Sequence, residues 1–153
     1  MSTRAIQFLK QKKIPFEVVR YEHGEKGAAF ASEAIGFPLE KTIKTLVADL
    51  GNKAYALALM PGDKQLSLKK LAKAMSVKKS AMADTATAER LTGYLVGGIS
   101  PFGTKQKMRA VMEESLMAFD KVAINAGQRG TMLLMSPEDI ARGLGCAVGG
   151  ISV

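Results

Sequence analysis

Two apolar segments joined by Gly51-Asn52 constrain the fold of this chain more than any other feature. Residues 44–50 and 53–60 are each of strand length and rich in apolar side chains. A short connection that contains glycine and asparagine is typical of a β-hairpin, because these residues adopt the positive φ angles of its turn. Pro61-Gly62 then ends the second segment. The sequence therefore predicts a strand, a tight turn and a second strand over residues 44–60.

Five further segments have the capping residues and apolar spacing of short helices. Ser, Thr and Asp side chains accept hydrogen bonds at a helix start, and Gly or Pro is common at or beyond a helix end. Ser2 or Thr3 caps the first predicted helix, which has Ala5, Ile6 and Leu9 on one face and is ended by Pro15. The second covers 28–35 before Gly36, and the third is capped by Ser67 and runs through Met75. The fourth covers 85–92 between Asp84 and Gly93, and the fifth covers 138–144, with Pro137 in its first turn and Gly145 behind it.

The remaining apolar segments are shorter. Residues 16–21 and 94–96 are predicted strands, and 121–126 and 131–135 form a second predicted hairpin. The spacing within 105–118 favours a helix instead. Short strands mixed with short helices, without regular alternation, predict an α+β fold around a mixed sheet. No linker or change of composition divides the 153 residues, so we predict a single domain over 1–153.

The chain is basic. It has 22 Lys and Arg against 14 Asp and Glu, which gives a net charge of +8. Such an excess favours binding to polyanions, because neutralised phosphates release counterions, although a protein can also be basic without binding nucleic acid. Charge alone does not choose between tRNA, DNA and a nucleotide as the polyanion. The cations that would contact it form two clusters, Lys69, Lys70, Lys73, Lys78 and Lys79 in the first and Lys105, Lys107 and Arg109 in the second.

The cellular location is predicted from three features: the N-terminus, the length of the apolar runs and the number of cysteines. The N-terminus leads directly into an amphipathic segment, and the longest apolar run, residues 54–60, is far too short to span a membrane. Cys146 is the one cysteine, and it therefore has no partner for an internal disulfide. We expect a cytoplasmic protein that binds no membrane, in which Cys146 is a small buried apolar residue.

Residues for catalysis are few. His23 is the single histidine, and no local motif pairs it with a nucleophile. The sequence has no zinc-binding spacing, no phosphate-loop lysine motif and no dinucleotide-binding glycine motif, so we expect neither a metal nor another cofactor. An enzyme built from these residues would have to use backbone groups, a lysine or the substrate itself.

Two segments offer such groups. Lys44 and Thr45 lie in a predicted strand, where a lysine is either part of a site or an ordinary solvent-facing residue. Gly97-Gly98 opens the segment 97–101, where two glycines allow a ligand to approach free N–H groups. Such N–H groups suit an oxyanion, a carbonyl or a phosphate. The alternative is a tight turn between strands.

Together these segments resemble the bacterial YbaK/EbsC deacylases. The resemblance rests on Lys44-Thr45-Leu46, on Gly93 to Pro101 with its Gly-Gly-Ile-Ser-Pro element, and on Gly127-Gln128-Arg129-Gly130. It extends to the strand that begins at Ile14-Pro15-Phe16 and to the helix that ends near Met75. The matching elements occur in order along nearly the whole chain.

The resemblance implies a fold and an activity. The family fold is a compact mixed β-sheet, partly barrel-like, flanked by short helices. It makes 107–113 a strand, and we adopt this expectation over the helix that periodicity favours. The implied activity is trans-editing of Cys-tRNA(Pro), with prolyl-tRNA synthetase as a partner and no binding of DNA. In this family the substrate's own thiol is thought to attack the ester and release a thiolactone, which agrees with the lack of a catalytic triad.

Site residues follow from the same resemblance. Lys44 would be the residue on which activity depends, and the aminoacyl group would bind to the segment Gly97, Gly98, Ile99, Ser100 and Pro101. Tyr21, Phe30 and Thr45 match positions that line the family's pocket. Met132 stands where some members have an aspartate, which affects the expected amino-acid selectivity. Editing of alanine or serine, or a non-catalytic tRNA- or synthetase-binding module, are the alternatives.

Overall fold

The predicted hairpin is the centre of the structure. The computed structural model describes residues 2–22 and 28–153. Its helices are α1 (Arg4–Gln11), α2 (Ala28–Ile35), α3 (Leu68–Ala74), α4 (Thr85–Thr92) and α5 (Pro137–Leu144), with short 3₁₀ helices at Leu39–Lys41 and Glu114–Ala118. Its strands are β1 (Glu17–Arg20), β2 (Ile43–Gly51), β3 (Ala54–Pro61), β4 (Ala81–Met82), β5 (Arg109–Glu113), β6 (Val122–Asn125), β7 (Thr131–Met135) and β8 (Ala147–Gly149).

These strands form two sheets. The larger sheet has the order β4-β2-β3-β5-β8, with β2 antiparallel to β3 and β5 parallel to both β3 and β8. The smaller sheet has the order β1-β7-β6 and is antiparallel throughout. A single parallel bridge between Thr42 and Ala123 brings the start of β2 next to β6. The α+β fold with a mixed sheet is confirmed, although neither sheet closes into a barrel within the described residues.

The larger sheet is buried on both faces. Ala58 and Met60 of β3 pack with Leu71 of α3 on one face. Leu57 and Leu59 of β3 belong to the main core on the other face, which α1, α4, α5 and the smaller sheet complete. A strand that is covered on both sides needs a continuous apolar run rather than an alternating one. This explains why the second arm of the hairpin is apolar from residue 56 to residue 60.

Both predicted hairpins and all five predicted helices are confirmed. In the first hairpin the turn lies one residue later than expected, because Gly51 still pairs with Ala54. Asn52 and Lys53 form the turn, with φ angles of 53° and 61°. Within the described residues no helix has the length and apolar character that a membrane span requires.

The strand predicted at 94–96 is wrong. Gly93 ends α4 with a φ of 81°, and the Tyr94 N–H donates to Thr92 Oγ1 at 3.1 Å. The N–H of Val96 donates to the carboxylate of Glu89 at 2.8 Å. Side chains of α4 therefore accept the hydrogen bonds that a partner strand would have accepted, and the segment is a loop.

The helix that periodicity favours within 105–118 is also wrong, and the strand is confirmed as β5. Val111 and Met112 are consecutive, yet Val111 packs on the α3 face of the sheet and Met112 in the main core on the opposite face. Because both faces of the larger sheet are covered, consecutive residues of β5 can both be apolar. Their helical spacing is a consequence of this double burial.

Glu113, at the end of β5, binds the C-terminal segment. Its side chain is 2% exposed, and its carboxylate accepts from the N–H groups of Ser115 at 2.8 Å and Ile151 at 3.2 Å. Burial alone would raise the pKa of Glu113, but hydrogen bonds from Ser115 and Ile151 outweigh it and hold the pKa below its usual value. The ionised carboxylate therefore stabilises the fold.

We predict that Glu113→Gln lowers the free energy of unfolding by about 1–2 kcal/mol at pH 7, because an amide offers one acceptor oxygen where two N–H groups need one each. A lowered pKa stabilises the fold above the usual carboxyl pKa of 4.5, and this stabilisation is lost as the pH falls through the folded-state value. The difference from wild type should therefore shrink below about pH 4. Urea titrations from pH 3 to pH 7 measure it, with the exposed neighbour in Glu114→Gln as the control. A constant difference at every pH would contradict the assignment.

Candidate functional site

A pocket of about 380 Å³ opens where one edge of β2 has no partner strand. Along this edge β4 pairs only with Ala48 and Asp49, and the bridge to β6 lies at Thr42. Among the described residues, 43–47 therefore have a partner strand only on the β3 side. Residues from both sheets, α2, α4 and the loop after α4 line the pocket: Tyr21, Ala28, Ala31, Ile43, Lys44, Thr45, Leu46, Val47, Met82, Ala83, Thr85, Ala88, Val96, Gly97, Ile99, Asn125 and Met132.

Five of the residues predicted for the site line this pocket, namely Tyr21, Lys44, Thr45, Gly97 and Ile99. They come from three regions of the chain that the two sheets bring together. Lys44 is half-buried and is the one charged residue among the described residues that line the pocket. Its ammonium forms no salt bridge with any described carboxylate.

The other four predicted residues lie behind the pocket wall. The Phe30 ring is 6.2 Å from the Tyr21 ring between centroids, so Phe30 supports a residue that lines the pocket. Gly98 packs against the backbone of the turn between β6 and β7. Ser100 and Pro101 are buried, and Ser100 Oγ accepts from the Phe102 N–H at 3.2 Å. These contacts hold the loop in place from behind.

The loop over 95–99 presents free donors at the pocket. The N–H of Gly98 donates to the Leu95 carbonyl at 2.8 Å, which closes a turn in which Gly97 has a φ of 94°. The N–H groups of Gly97 and Ile99 have no acceptor among the described residues. Both residues line the pocket, whereas the N–H of Gly98 is already paired. Unpaired N–H groups of this kind can bind a carbonyl oxygen or an oxyanion.

Sequence reasoning missed Asn125 and the residues from α4 and the strand before it. Asn125 lines the pocket at the end of β6, and its amide donates to the Gly97 carbonyl at 3.2 Å while its oxygen accepts from the Gly127 N–H at 2.7 Å. An asparagine two residues before a glycine turn was the available signal, since such side chains commonly accept from the turn's backbone. Met82 and Thr85 carried no comparable signal.

No catalytic pair of a nucleophile and a histidine or carboxylate base lines the described part of the pocket. Its described residues include no His, Cys, Asp or Glu. Cys146 is partly buried elsewhere, and burial raises the pKa of its thiol. The described residues contain no group of three or more His, Cys, Asp or Glu side chains able to hold a metal ion. His23 lies outside the described residues.

The predicted basic residues are grouped differently in the structure from the two clusters they form in the sequence. Lys69, Lys70 and Lys73 are exposed on α3, and Lys78 and Lys79 are exposed after it. Arg109 belongs with them, because its guanidinium donates to the Met75 carbonyl at the end of α3 at 3.4 Å.

Lys105 lies apart from Arg109, although both belong to the second sequence cluster. A Cβ added at Gly93 would lie 2.9 Å from the Lys105 side chain and 2.8 Å from the guanidinium of Arg4 in α1, so Lys105 and Arg4 lie together beside Gly93 at the end of α4. Lys107 is exposed in the segment between Lys105 and Arg109.

The chain is similar in sequence to a known protein family and to named members of it. The model of the aminoacyl-tRNA editing domain family matches residues 23–143. EbsC of Enterococcus faecalis, named as a candidate Cys-tRNA(Pro)/Cys-tRNA(Cys) deacylase, is 34% identical over 141 residues, which cover 90% of this chain and 85% of EbsC. The multifunctional Ser/Thr-tRNA deacylase ProXp-y of Escherichia coli K12 is 32% identical over 143 residues, which cover 91% of this chain and 85% of ProXp-y.

A solved structure shares the fold. The crystal structure of a candidate trans-editing enzyme for prolyl tRNA synthetase superposes with a TM-score of 0.89. The match covers 98% of this chain and 95% of the other at 23% identity. At this identity the likeness shows a common fold.

The buried hydroxyl of Thr45 gives a test of the pocket that needs no substrate. Thr45 Oγ1 has no hydrogen-bond partner among the described residues. We predict that Thr45→Val raises the free energy of unfolding by about 1 kcal/mol, because it replaces an unpaired buried polar group with an apolar one of similar size. Thr92→Val is the matched control and should be destabilising, since Thr92 Oγ1 donates to the Ala88 carbonyl at 2.8 Å. Chemical denaturation of both variants decides, and a destabilised Thr45→Val would show that the hydroxyl is satisfied in the free protein.

Proposed function

Because this chain belongs to the aminoacyl-tRNA editing domain family, we propose that it is a trans-editing deacylase that removes cysteine from Cys-tRNA(Pro). The observation that carries the proposal is a pocket with one lysine, unpaired backbone donors and no histidine, cysteine or carboxylate among its described residues. Such a site can hold an ester and stabilise charge on its carbonyl oxygen. The reacting group must then come from the substrate or from water.

The pocket wall supports a small, weakly polar amino acid. Ala31 and Met132 are buried on one side and Val47 is buried on another, so the wall near them is apolar. Met132 in particular gives no charge where some family members have an aspartate. A thiol side chain loses less free energy of hydration than a hydroxyl on entering such surroundings. This favours cysteine over serine.

The proposed reaction is an intramolecular displacement. The substrate thiolate attacks its own ester carbonyl, and the carbonyl oxygen receives hydrogen bonds from the N–H groups of Gly97 and Ile99. The thiol first releases its proton to solvent; a sulfur–carbon bond then forms, the ester carbon–oxygen bond breaks, and the departing ribose oxygen takes up a proton from solvent. The products are a thiolactone and free tRNA. Lys44 holds the terminal phosphate or ribose, so that the ester stays beside the loop.

Serine is the competing substrate that a specific observation favours. ProXp-y is named as a Ser/Thr-tRNA deacylase, and its identity to this chain is close to that of EbsC. Alanine offers neither a thiol nor a hydroxyl, and its removal would need an attacking water.

For tRNA we propose a surface that includes α3 and Arg109. Lys69, Lys70 and Lys73 are exposed there, and the one salt bridge among the described residues, between Arg142 and Asp139, involves none of them. Cations without a carboxylate partner among the described residues suit a phosphate backbone, and affinity for deacylated tRNA would then fall steeply with salt. We place the reaction in the cytoplasm, with prolyl-tRNA synthetase as the source of the misacylated tRNA. A non-catalytic tRNA-binding module would share this surface and would lack turnover.

We predict that Lys44→Ala lowers the deacylation rate of Cys-tRNA(Pro) by about 100-fold or more, because the ester is then no longer held beside the loop. The free energy of unfolding should change by less than about 1 kcal/mol, since no described carboxylate pairs with this lysine. The measurement is single-turnover deacylation alongside thermal unfolding. Lys121→Ala, at an exposed lysine before β6, is the control with an unchanged rate. Full activity in Lys44→Ala, or loss of its fold, would contradict the assignment.

We predict that Cys-tRNA(Pro) is deacylated far faster than Ser-tRNA(Pro) or Ala-tRNA(Pro), because a cysteine thiol is a few per cent thiolate at neutral pH and a serine hydroxyl is not. Blocking the substrate thiol should abolish the reaction, whereas Cys146→Ser should leave the rate unchanged. The assay compares the three tRNAs and traps the thiolactone, with a parallel reaction in oxygen-18 water. Enzyme-accelerated uptake of solvent oxygen without a thiolactone would identify an activated water instead.

A further inference from the structure

The turn between β6 and β7 contacts the loop over 95–99 through an arginine. Arg129 donates two hydrogen bonds to the Val96 carbonyl, from Nε at 2.9 Å and from a terminal nitrogen at 2.7 Å. Arg129 is absent from the described wall of the substrate pocket, and with Leu95 and Gly98 it lines a separate cavity on the other side of the loop. The guanidinium therefore reaches the loop from behind.

The Val96 carbonyl and the Gly97 N–H belong to one planar peptide unit. In a trans peptide the C=O and N–H point in opposite directions. Two hydrogen bonds from Arg129 fix the direction of the carbonyl, and they thereby turn the Gly97 N–H away from Arg129. Gly97 lines the substrate pocket, and its N–H has no acceptor among the described residues.

The next peptide unit, between Gly97 and Gly98, is fixed by different groups. The Gly97 carbonyl accepts from Asn125, and the Gly98 N–H donates to Leu95. A side chain at Gly98 could not fit, since its Cβ would lie 2.9 Å from the Arg129 backbone nitrogen. The loop and the turn therefore meet at backbone contact, which leaves the Val96–Gly97 unit dependent on the Arg129 side chain.

We infer that Arg129 is a positioning residue, which orients and polarises the Gly97 N–H as the donor to the ester carbonyl. This inference rests on the proposed deacylation. A hydrogen bond from a charged donor to one end of a peptide unit strengthens the donor at its other end, because hydrogen bonds in a chain polarise one another. The positive charge of Arg129 thus acts at the carbonyl oxygen without contacting the substrate.

The kinetic test compares Arg129→Ala and Arg129→Lys with wild type. Loss of an oxyanion donor lowers kcat by about 100- to 1,000-fold, and weakening one should cost Arg129→Ala about 10- to 100-fold in kcat with little change in KM. Arg129→Lys keeps the charge but loses the paired geometry, so its kcat should lie between the two. Millimolar guanidinium should restore part of the activity of Arg129→Ala. Arg142→Ala, which removes an exposed arginine paired with Asp139 at 2.7 Å, is the control with unchanged kcat.

A second measurement needs no activity. In the free protein the Gly97 amide resonance should shift in Arg129→Ala, and Arg129→Lys should shift it less. If wild type is active and both Arg129 variants keep its kcat, the inference is overturned and the proposed function stands. A fall in kcat without guanidinium rescue and without a shift at Gly97 would also overturn it, since the loss would then be general instability. If wild type deacylates none of the tRNAs, the proposed function fails, and an unmoved Gly97 resonance would separately show that Arg129 does not orient the loop.

Discussion

The pairing of β2 determines both the core and the pocket. Along one edge β2 is hydrogen-bonded to β3 over its whole length, from Ile43 to Gly51. Along the other edge it has partners only at its two ends, β6 at Thr42 and β4 at Ala48 and Asp49. The fully paired edge keeps the strand rigid, and the open stretch leaves room for a pocket against it. Lys44 and Thr45 thus stand on a fixed element while remaining accessible to a ligand.

The opposite wall of the pocket is formed by a loop rather than by a paired strand. The loop over 95–99 has no regular secondary structure, and its shape is set by side chains from three other elements. Glu89 accepts from the Val96 N–H, Arg129 donates to the Val96 carbonyl, and Asn125 donates to the Gly97 carbonyl. A loop fixed at these atoms can leave the N–H groups of Gly97 and Ile99 unpaired without losing its shape. Free donors at a pocket need such support, because an unsatisfied backbone group is costly when buried.

Local signals in the sequence predicted most of the helices and strands, whereas long-range contacts determine how they pack and where the pocket lies. Caps such as Ser67 and Asp84 and the turn after β2 act over a few residues, so both the helices and the hairpin could be predicted. The burial of a strand on both faces depends on distant residues and could not be predicted, which is why the apolar spacing of β5 resembled that of a helix. The contact between Asn125 and Gly97 joins residues 28 apart, and the contact between Arg129 and Val96 joins residues 33 apart. No single segment contains such a site, and resemblance to a family supplied Lys44 and the glycine loop where spacing alone left alternatives.

The scarcity of reactive side chains gives the two pocket walls their importance. With no histidine, cysteine or carboxylate among the described lining residues, the proposed reaction relies on holding the ester and on stabilising charge on its carbonyl oxygen. In this proposal the first task belongs to Lys44 and the second to the loop. Because a thiol supplies its own nucleophile and a methyl group cannot, the proposed mechanism makes the side chain of the amino acid decide which substrates react. Selectivity would then arise from the chemistry of the substrate as well as from the shape of the pocket, and a largely apolar wall would suffice to discriminate between cysteine and alanine.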